Sequence, residues 1–385
     1  MQVHTYIQNP LKSQRQIVVF TSNPLDHEGG VVAFYNLPVK SFSDSFYKLH
    51  HHPVGSRMQF FEAPVLKRLL YPLYFFYDTL KLIHFFLRSP DARILHVNPS
   101  LIPVPLIRDG LLIIIAKVMG RKVIVLFHGW KDWIARSLLN NRWLRVLFHF
   151  IYDRASTIIV LAERFKGDLI SLGFSEKKIH ITSTMYEAAD VVPFSDRNRK
   201  RLKFLYLGRI SPLKGIAELI NAAKILRERG CDFELTVVGH GDREGIVEKY
   251  RDLSQQYDLG DLINFTGRLT GRDKYQAFAD SDVYVFPSWT EGCPTSVLEA
   301  LGSGLFVIST DVGALREIIR DGENGKIIRL KDFNDLADKM VWACENIDII
   351  RNKRAAIQAE AITRYETSVV AEQFRKIYHQ LDDEN

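Results

Sequence analysis

The sequence predicts an α/β protein made of two doubly wound parallel sheets that face each other across a cleft. Its 385 residues exceed the usual size of one hydrophobic core, so two domains are expected. Short runs of β-branched and aromatic residues alternate with longer helical patterns throughout the chain, as in parallel α/β sheets. A proline and charge cluster, VVPFSDRNRKR at 191–201, is typical of a linker and divides the two sets of elements.

The first domain, residues 1–195, contains four strand candidates, each followed by a turn and a helical pattern. In parallel sheets of this kind ligands bind at the carboxyl ends of the strands. The residues after each run are therefore the first place to search for a site. The four runs are IVVFTS (17–22), ILHVN (94–98), KVIVLFH (122–128) and STIIVL (156–161).

The second domain, residues 196–367, contains five strand candidates with the same alternation. The strands are short and separated by helical patterns, so parallel pairing is expected here too. The five runs are KFLYLG (203–208), FELTVVG (233–239), LINFTG (262–267), DVYVFP (282–287) and LFVIST (305–310).

The cysteine content and the hydropathy indicate the cellular compartment in which we expect the protein. The three cysteines, Cys231, Cys293 and Cys344, have neither zinc nor redox-pair spacing, which favours a reducing compartment. The polar start MQVHTYIQNP is unlike a secretory signal, and no apolar run reaches about 18 residues. We therefore expect a cytoplasmic protein.

A basic surplus distinguishes the first half of the chain. The net charge is +6, and the excess of Lys and Arg lies in residues 1–195. This half also holds an aromatic-rich segment, LKRLLYPLYFFYDTLKLIHFFL at 66–87, whose charged residues argue against a membrane span. A buried helix with a solvated basic face is the favoured interpretation, and an anionic membrane surface is a candidate partner for the segment.

The stretch LGRISPLKG at 207–215 follows a strand candidate. Ser211 and Pro212 have the pattern of a helix cap and a first helical residue, which places Lys214 in the first turn. Arg209 and Lys214 would then converge with free backbone N–H groups on one small volume. This predicts a site for an anion with more than one charge, such as a pyrophosphate.

The stretch EGCPTSVLE at 291–299 carries two carboxylates around a predicted helix start. Acids close to a helix N-terminus are stabilised by the macrodipole, and this explanation suffices for Glu299 taken alone. Glu291 precedes the helix and gains little from the dipole. Its position at the carboxyl end of a strand predicts a ligand-binding role.

These motifs and their order resemble the retaining glycosyltransferases of family 4. The similarity rests on GRISPLKG, EGCPTSVLEALGSG, TDVGALREII and DGENG, and it includes the family's acidic pair with the spacing E-x7-E. The resemblance implies the GT-B fold, in which two Rossmann-like domains face each other. It also implies that the last helix, within residues 368–385, packs back on the first domain.

The resemblance assigns roles to residues of the second domain. Arg209 and Lys214 match the bases that bind the donor pyrophosphate, Glu291 the acid that binds the donor sugar, and Glu299 the acid that binds the ribose. Further residues match the loops around the phosphates and the base. These candidate donor-binding residues are Gly208, Gly267, Arg268, Gly292, Cys293, Pro294, Thr295 and Ser296.

In the first domain the resemblance is looser. Gly29 and Gly30, in HEGGVV, match a glycine loop that lets phosphate and acceptor approach the backbone, although a plain turn fits them equally well on sequence alone. His128, in FHGW, matches a histidine beside the donor sugar. The segment Thr182-Ser183-Thr184 replaces the family's usual Asn-Gly turn, so we expect the cleft wall to differ there.

Four other patterns imitate functional sites. Asp280-Ser281-Asp282 has the form of an acidic metal motif, but Asp282 begins a strand and would lie at the wrong edge of the sheet. His50, His51 and His52 fit a solvated loop better than a metal site. Cys293 near a helix start could be a reactive thiol, although a small loop residue is the preferred interpretation, and GHGDREG at 239–245 is expected to be a turn.

The sequence therefore predicts a hexosyl-type glycosyltransferase that retains anomeric configuration and uses a nucleotide sugar. We expect no metal or other cofactor, and a glycan or lipid-linked glycan acceptor of bacterial surface polysaccharide or glycolipid assembly. The alternatives are a nucleotide-sugar epimerase or a phosphorylase with two similar domains, and a non-catalytic protein that binds nucleic acid or a lipid surface. Scattered basic charge makes nucleic acid an unfavoured partner.

Overall fold

The computed structural model describes residues 16–22, 47–54, 71–194 and 201–383. Within them the chain forms two six-stranded parallel sheets, with strand orders β2-β1-β3-β4-β5-β6 and β12-β11-β10-β7-β8-β9. The predicted pair of doubly wound sheets is confirmed. Gly29, Gly30 and residues 66–70 of the predicted amphipathic segment lie outside the described residues.

The first sheet has an almost fully apolar interior, because β3, β4 and β5 are covered on both faces. The carboxyl ends of these three strands lie side by side. The strands are β1 (Gln16–Ser22), β2 (Tyr47–Pro53), β3 (Ile94–Val97), β4 (Lys122–Leu126), β5 (Thr157–Val160) and β6 (Ile179–Ile181).

The helices of the first domain connect successive strands. Each crossover from β2 to β6 runs in one direction across the sheet, so right-handed connections place these helices on one face. They are α1 (Tyr71–Arg88), α2 (Pro103–Val118), α3 (Asp132–Asn140), α4 (Arg142–Tyr152) and α5 (Glu163–Ser171).

The second sheet brings β7 and β10 together at its centre, although about 75 residues separate them in the chain. The loops after these two strands are therefore neighbours, as in other doubly wound sheets. The strands are β7 (Leu202–Leu207), β8 (Phe233–Val238), β9 (Ile263–Gly267), β10 (Val283–Phe286), β11 (Phe306–Thr310) and β12 (Gly325–Ile328).

The helices of the second domain follow the same alternation, and the last two lead back to the first domain. They are α6 (Ile216–Glu228), α7 (Ile246–Gln256), α8 (Gly271–Ala279), α9 (Thr295–Gly302), α10 (Leu315–Ile318), α11 (Phe333–Glu345), α12 (Ile347–Tyr365) and α13 (Thr367–Asp383).

Helix α13 packs against the first sheet through polar contacts as well as apolar ones. The hydroxyl of Tyr378 lies 2.9 Å from His96 Nδ1, and His379 Nδ1 lies 3.3 Å from the hydroxyl of Tyr47. Lys122 donates to the carbonyl of Leu381. The chain thus passes between the domains twice, and the two passages are in contact. The backbone N–H of Tyr186 donates to the Tyr365 carbonyl, and the N–H of Thr367 donates to the Tyr186 carbonyl.

Two sequence expectations about local structure are wrong. The three histidines at 50–52 lie in β2, not in a loop: the ring of His50 stacks on Phe85, and His52 binds the carbonyl of Asp78 at 2.8 Å. This edge strand has few apolar residues, so its periodicity gave no strand signal. Strands β6 and β12 were missed because IHI and GKII each contain only two apolar residues, beside a polar residue or a glycine.

No helix among the described residues is long and apolar enough to cross a membrane.

Candidate active site in the interdomain cleft

Two loops of the second sheet converge because their strands, β7 and β10, are neighbours. Gly208 and Arg209 follow β7, and Glu291 lies five residues after the end of β10. The hydroxyl of Tyr206 donates to the carbonyl of Arg209 at 2.9 Å, which fixes the backbone beneath the exposed Arg209 side chain. The structure thus brings the two sequence motifs to one edge.

Lys214 contacts Glu291 directly. Its ammonium donates to Glu291 Oε1, and the Ser288 hydroxyl donates to the same oxygen at 2.5 Å. One carboxylate oxygen therefore accepts from a cation and a hydroxyl, and both partners hold the side chain in place. Sequence reasoning placed Lys214 and Glu291 in one cleft but did not anticipate their contact.

The position of Lys214 differs from the expected one. Residues Pro212–Lys214 form a single 3-10 turn that ends at Gly215, and helix α6 begins only at Ile216. Ser211 makes no side-chain cap. Gly215 has a φ of 73°, and a Cβ there would lie 2.1 Å from the carbonyl oxygen of Pro287. This glycine permits the close approach of the two loops, so Lys214 is set by the turn and not by a helix cap.

Glu299 is held in the same manner as Glu291. It lies in α9 and is largely buried, and Lys274 of helix α8 donates to its Oε1 at 2.7 Å. The Tyr275 hydroxyl donates to the same oxygen at 3.3 Å. Lys274 and Tyr275 were missed in the sequence, because nothing in GRDKYQAF marks them apart from an ordinary amphipathic helix.

The start of α9 lies between the two carboxylates. Pro294 precedes the helix, and Thr295 and Ser296 form its first turn, where backbone N–H groups have no carbonyl partner within the helix. The Ser296 hydroxyl accepts from Tyr284 at 2.9 Å, which orients the first turn from the strand below. The edge therefore offers N–H donors between two acids, an arrangement suited to anion binding.

The glycines of the second domain follow consecutive strand ends. Gly208 follows β7, and a Cβ at Gly239 would lie 1.9 Å from the Gly208 carbonyl oxygen. Gly267 ends β9 with a φ of 75° and is exposed, as is the adjacent Arg268. These residues border the carboxyl edge of the sheet beside the two carboxylates.

The first domain reaches this edge through the loop after β4. His128 is buried, and a Cβ at Gly292 would lie 2.4 Å from its carbonyl oxygen. Lys131, three residues on, donates to the Thr290 hydroxyl at 3.2 Å. The loops 128–131 and 290–292 are therefore in contact, and the cleft is closed on this side.

Lys131 is a third cation at the site, and the sequence analysis missed it. Burial lowers the pKa of Lys131, the nearby Glu291 raises it, and the Lys214 charge lowers it. Its signal in the sequence was the same as that used for Lys214, namely a lysine a few residues beyond a strand end. With Arg209 and Lys214 it gives the site an excess of positive charge.

The interior position of His128 predicts a pH-dependent stability. Burial lowers the pKa of His128 to about 3, whereas an unfolded histidine titrates near 6.5. Between these values the unfolded chain binds more protons, so stability falls as the pH falls below 6.5. We expect His128 to account for about 2 kcal/mol of lost unfolding free energy between pH 8 and pH 5.

Chemical denaturation of the wild type and of His128→Gln at both pH values measures this contribution. The variant should show a pH dependence smaller by about that amount. Burial also lowers the pKa of His96 to about 3. The unfolding free energy of the variant should therefore still fall with pH, through His96. An identical pH dependence in the two proteins would contradict the assignment.

Cys293 is a packing residue. It is buried, and the Thr184 hydroxyl donates to its carbonyl oxygen at 3.1 Å and lies 3.3 Å from its sulfur. Burial raises the pKa of the thiol, so the reactive-thiol hypothesis is not supported. Thr184 belongs to the Thr-Ser-Thr segment at 182–184, and it uses the hydroxyl to join this wall to the loop that carries Glu291.

Asp282 lies at the opposite, amino edge of the sheet, as expected from its place before β10. Its carboxylate accepts from Arg351 Nε at 3.0 Å and lies 3.4 Å from Arg354. The described residues contain no group of three His, Cys, Asp or Glu side chains arranged to hold a metal ion. Within this motif Asp282 is thus the ion-pair partner of two arginines.

Comparisons with known proteins match this chain to glycosyltransferases. Residues 190–364 match the family model described as glycosyl transferases group 1. A phosphatidyl-myo-inositol mannosyltransferase of Mycobacterium leprae is 35% identical over 176 residues, which are 45% of either chain. A putative colanic acid biosynthesis glycosyltransferase, WcaL of Salmonella typhimurium, is 25% identical over 260 residues, 65% of this chain and 60% of that one.

The structural matches extend over nearly the whole chain. A sucrose-phosphate synthase from Thermosynechococcus elongatus matches with a TM-score of 0.76 at 17% identity, covering 96% of this chain and all of the other. Anabaena HepE in complex with UDP and glucose matches with a TM-score of 0.68 at 15% identity, over 94% and 99% of the chains. The chain spans about half the length of the mannosyltransferases it matches, and the fold is GT-B.

Proposed function

Because the second domain is related to glycosyl transferases group 1, we propose that the protein transfers a hexose from a nucleoside diphosphate sugar to a hydroxyl acceptor, with retention of configuration. One observation carries the proposal. Glu291 and Glu299 flank a helix start, and each is held through its Oε1 by a lysine and a hydroxyl. The second oxygen of each carboxylate is then available to accept from a sugar hydroxyl.

The donor pyrophosphate would lie between these acids. Arg209, Lys214 and the first-turn N–H groups of α9 supply positive charge and hydrogen bonds there. As the bond to the sugar breaks, negative charge grows on the leaving diphosphate. Preorganised cations stabilise that charge more in the transition state than in the ground state, and this difference accelerates the reaction.

The two acids have separate tasks in this proposal. Glu291, beside Lys214 and close to the first domain, binds hydroxyls of the sugar. Glu299, eight residues on and beside helix α8, binds hydroxyls of the ribose. The helix start between them faces the phosphates, so the spacing of the acids corresponds to the middle of the donor.

The chemical step we propose is a displacement on one face of the sugar. The acceptor oxygen forms the new bond to the anomeric carbon while the bond to the diphosphate oxygen breaks. The acceptor proton passes to the departing phosphate. With the acids engaged by hydroxyls, the protein contributes positioning and charge stabilisation, and its cations carry the charge-neutralising role that a divalent ion has elsewhere.

The acceptor is proposed to be a glycan or a lipid-linked glycan. The support is the names of the matched relatives, a phosphatidyl-myo-inositol mannosyltransferase and a colanic acid glycosyltransferase. The basic excess of the first domain is compatible with such an acceptor if it carries phosphate or carboxylate groups.

Nucleotide binding tests the proposal before any acceptor is known. A nucleotide at 100 times its Kd should stabilise the protein by about 2.7 kcal/mol. We expect UDP, GDP or ADP, or one of their sugars, to raise the melting temperature in the presence of a chelator. Glu299→Gln should weaken this shift, whereas Glu248→Gln, on the exposed face of α7, should preserve it.

Two outcomes would count against the proposal. The donor assignment fails if none of these nucleotides changes the melting temperature. The metal-independent part fails if the shift, or sugar transfer to any glycan or lipid fraction, requires an added divalent ion.

A further inference from the structure

Three helices on one face of the first sheet expose apolar side chains that a globular core would normally cover. Helix α2 lies between α1 and α4 and contacts both. Within the part of the chain that the structure describes, each of these helices has apolar residues on both its inner and its outer side. We call the outer side of the three the α1-α2-α4 surface.

Helix α2 shows the pattern most clearly. Leu112, Ile113 and Ala116 are buried on its inner side, as expected for a helix on a parallel sheet. On the outer side four apolar residues recur at helical spacing, so they form one stripe along the helix. They are Val104, Ile107, Leu111 and Val118, the last 84% exposed.

Helices α1 and α4 extend the stripe on either side. Trp143 is 80% exposed, and Leu147 and Phe150 follow it at intervals of four and three residues. In α1 the exposed residues again include aromatic ones at helical spacing. They are Leu73, Phe76, Tyr77, Leu80 and Leu87.

The charges on these helices have one sign at the surface. The only acidic residues in α1 and α2 are Asp78 and Asp109, which are both buried, and α4 has none. Arg108 pairs with the buried Asp109, and the other basic residues of the three helices are Lys81, Arg88, Lys117, Arg142 and Arg145. Cations interspersed with exposed Trp, Tyr and Phe, without exposed carboxylates, are the composition of an interface with an anionic bilayer.

The second domain provides a comparison within the same molecule. Among its described residues five large apolar side chains are exposed, and no helix carries more than two of them: Leu213, Leu330, Phe333, Ile349 and Ile362. Isolated exposed apolar residues are normal, whereas a patch spanning three adjacent helices is not. The apolar surface therefore belongs to the first domain specifically.

We propose that the α1-α2-α4 surface docks the protein on an anionic phospholipid membrane. Apolar side chains would enter the headgroup boundary while Lys and Arg remain at the phosphates. Stacking of Arg154 on Phe150, with the guanidinium 3.7 Å from the ring centre, already pairs a cation with an aromatic ring at the end of α4. This inference does not depend on sugar transfer, because membrane binding is measured without a donor.

The docked orientation would place the cleft beside the membrane. Helix α2 begins just beyond the carboxyl end of β3, and α3, which contacts α4, begins one residue after Lys131. Lys131 donates to Thr290, in the loop that carries Glu291, so the α1-α2-α4 surface adjoins the mouth of the cleft. An acceptor hydroxyl held in the headgroup layer would then face Glu291.

Flotation of the full chain with vesicles tests the docking. We expect binding to vesicles of phosphatidylcholine with phosphatidylglycerol, and at least tenfold weaker binding to phosphatidylcholine alone. Arg142→Glu with Arg145→Glu should reduce binding by about 25-fold or more, since each cation near an anionic surface contributes about fivefold. Trp143→Ser with Leu147→Ser should also weaken it at least tenfold.

The matched control carries the same kind of substitution on the second domain. Leu330→Ser with Ile349→Ser should leave vesicle binding and the melting temperature unchanged. The proposal is overturned if the wild type binds neither vesicle, or if the control and the α4 variants lose binding equally. It is also overturned if the α4 variants abolish a concentration-dependent dimer while vesicle binding is absent, which would identify the surface as a self-association face.

Discussion

Replacement of Lys214 by alanine is expected to lower kcat by about two orders of magnitude or more, as the loss of one preorganised donor to a developing oxyanion does. Lys214 contacts Glu291, three residues before Pro294 and the start of α9, where we propose that the leaving diphosphate binds. Arg209→Ala should lower kcat by a similar factor, because both bases are proposed to stabilise the negative charge of the leaving diphosphate. Steady-state kinetics with the donor identified by thermal shift measures both.

Lys224→Ala is the matched control, since Lys224 lies on the surface of α6 with its ammonium 4.7 Å from the ring centre of Tyr257. That variant should retain kcat. Loss of the Lys214 cation also removes a partner of Glu291, so Lys214→Arg, which restores the charge, should recover part of the activity. Near-normal turnover in both Arg209→Ala and Lys214→Ala would refute the assignment of these bases to the leaving group.

Replacement of Asp282 by alanine should destabilise the protein by about 3–5 kcal/mol, because it leaves buried cations without their partner. The carboxylate is buried and contacts Arg351 and Arg354 of α12. It also accepts from the backbone N–H of Lys203 at 3.0 Å. Denaturant titration of the wild type and the variant measures the loss.

Asp280→Ala is the control in the same motif, and it should cost less than about 1 kcal/mol because Asp280 is only half-buried at the end of α8. An Asp282 variant of normal stability whose activity had become insensitive to divalent ions would reinstate the metal interpretation. The structure favours the opposite result, since the cations that face Asp282 come from the protein itself.

Much of the second domain was predictable because its strands have continuous apolar runs bounded by turn residues. The five predicted strands correspond to the observed strands β7, β8, β9, β10 and β11, and each predicted end lies within one residue of the observed end. Strand β12, with the sequence GKII, and the polar edge strand β2 were not predictable in this way. Edge strands are partly solvated, so their residues carry little periodic signal.

The amphipathic segment at 66–87 illustrates a different limit. Periodicity indicates that a helix has an apolar face, but it does not indicate what covers that face. The sequence favoured a buried helix with a solvated basic face, yet Leu73, Phe76 and Leu87 of α1 are exposed. Apolar residues surround α2 in the same way, and only the packing shows which of them lack a neighbour among the described residues.

The sequence by itself determined the alternation of strands and helices and the set of residues at the strand ends. Parallel strands bring their carboxyl ends to one edge, so Arg209, Lys214 and Glu291 could be placed in one cleft from local patterns alone. The tertiary structure decided which side chains bind one another. Lys274 holds Glu299 and Lys131 reaches Thr290 because separate elements pack together, and contacts between residues distant in the chain leave no mark in a local pattern.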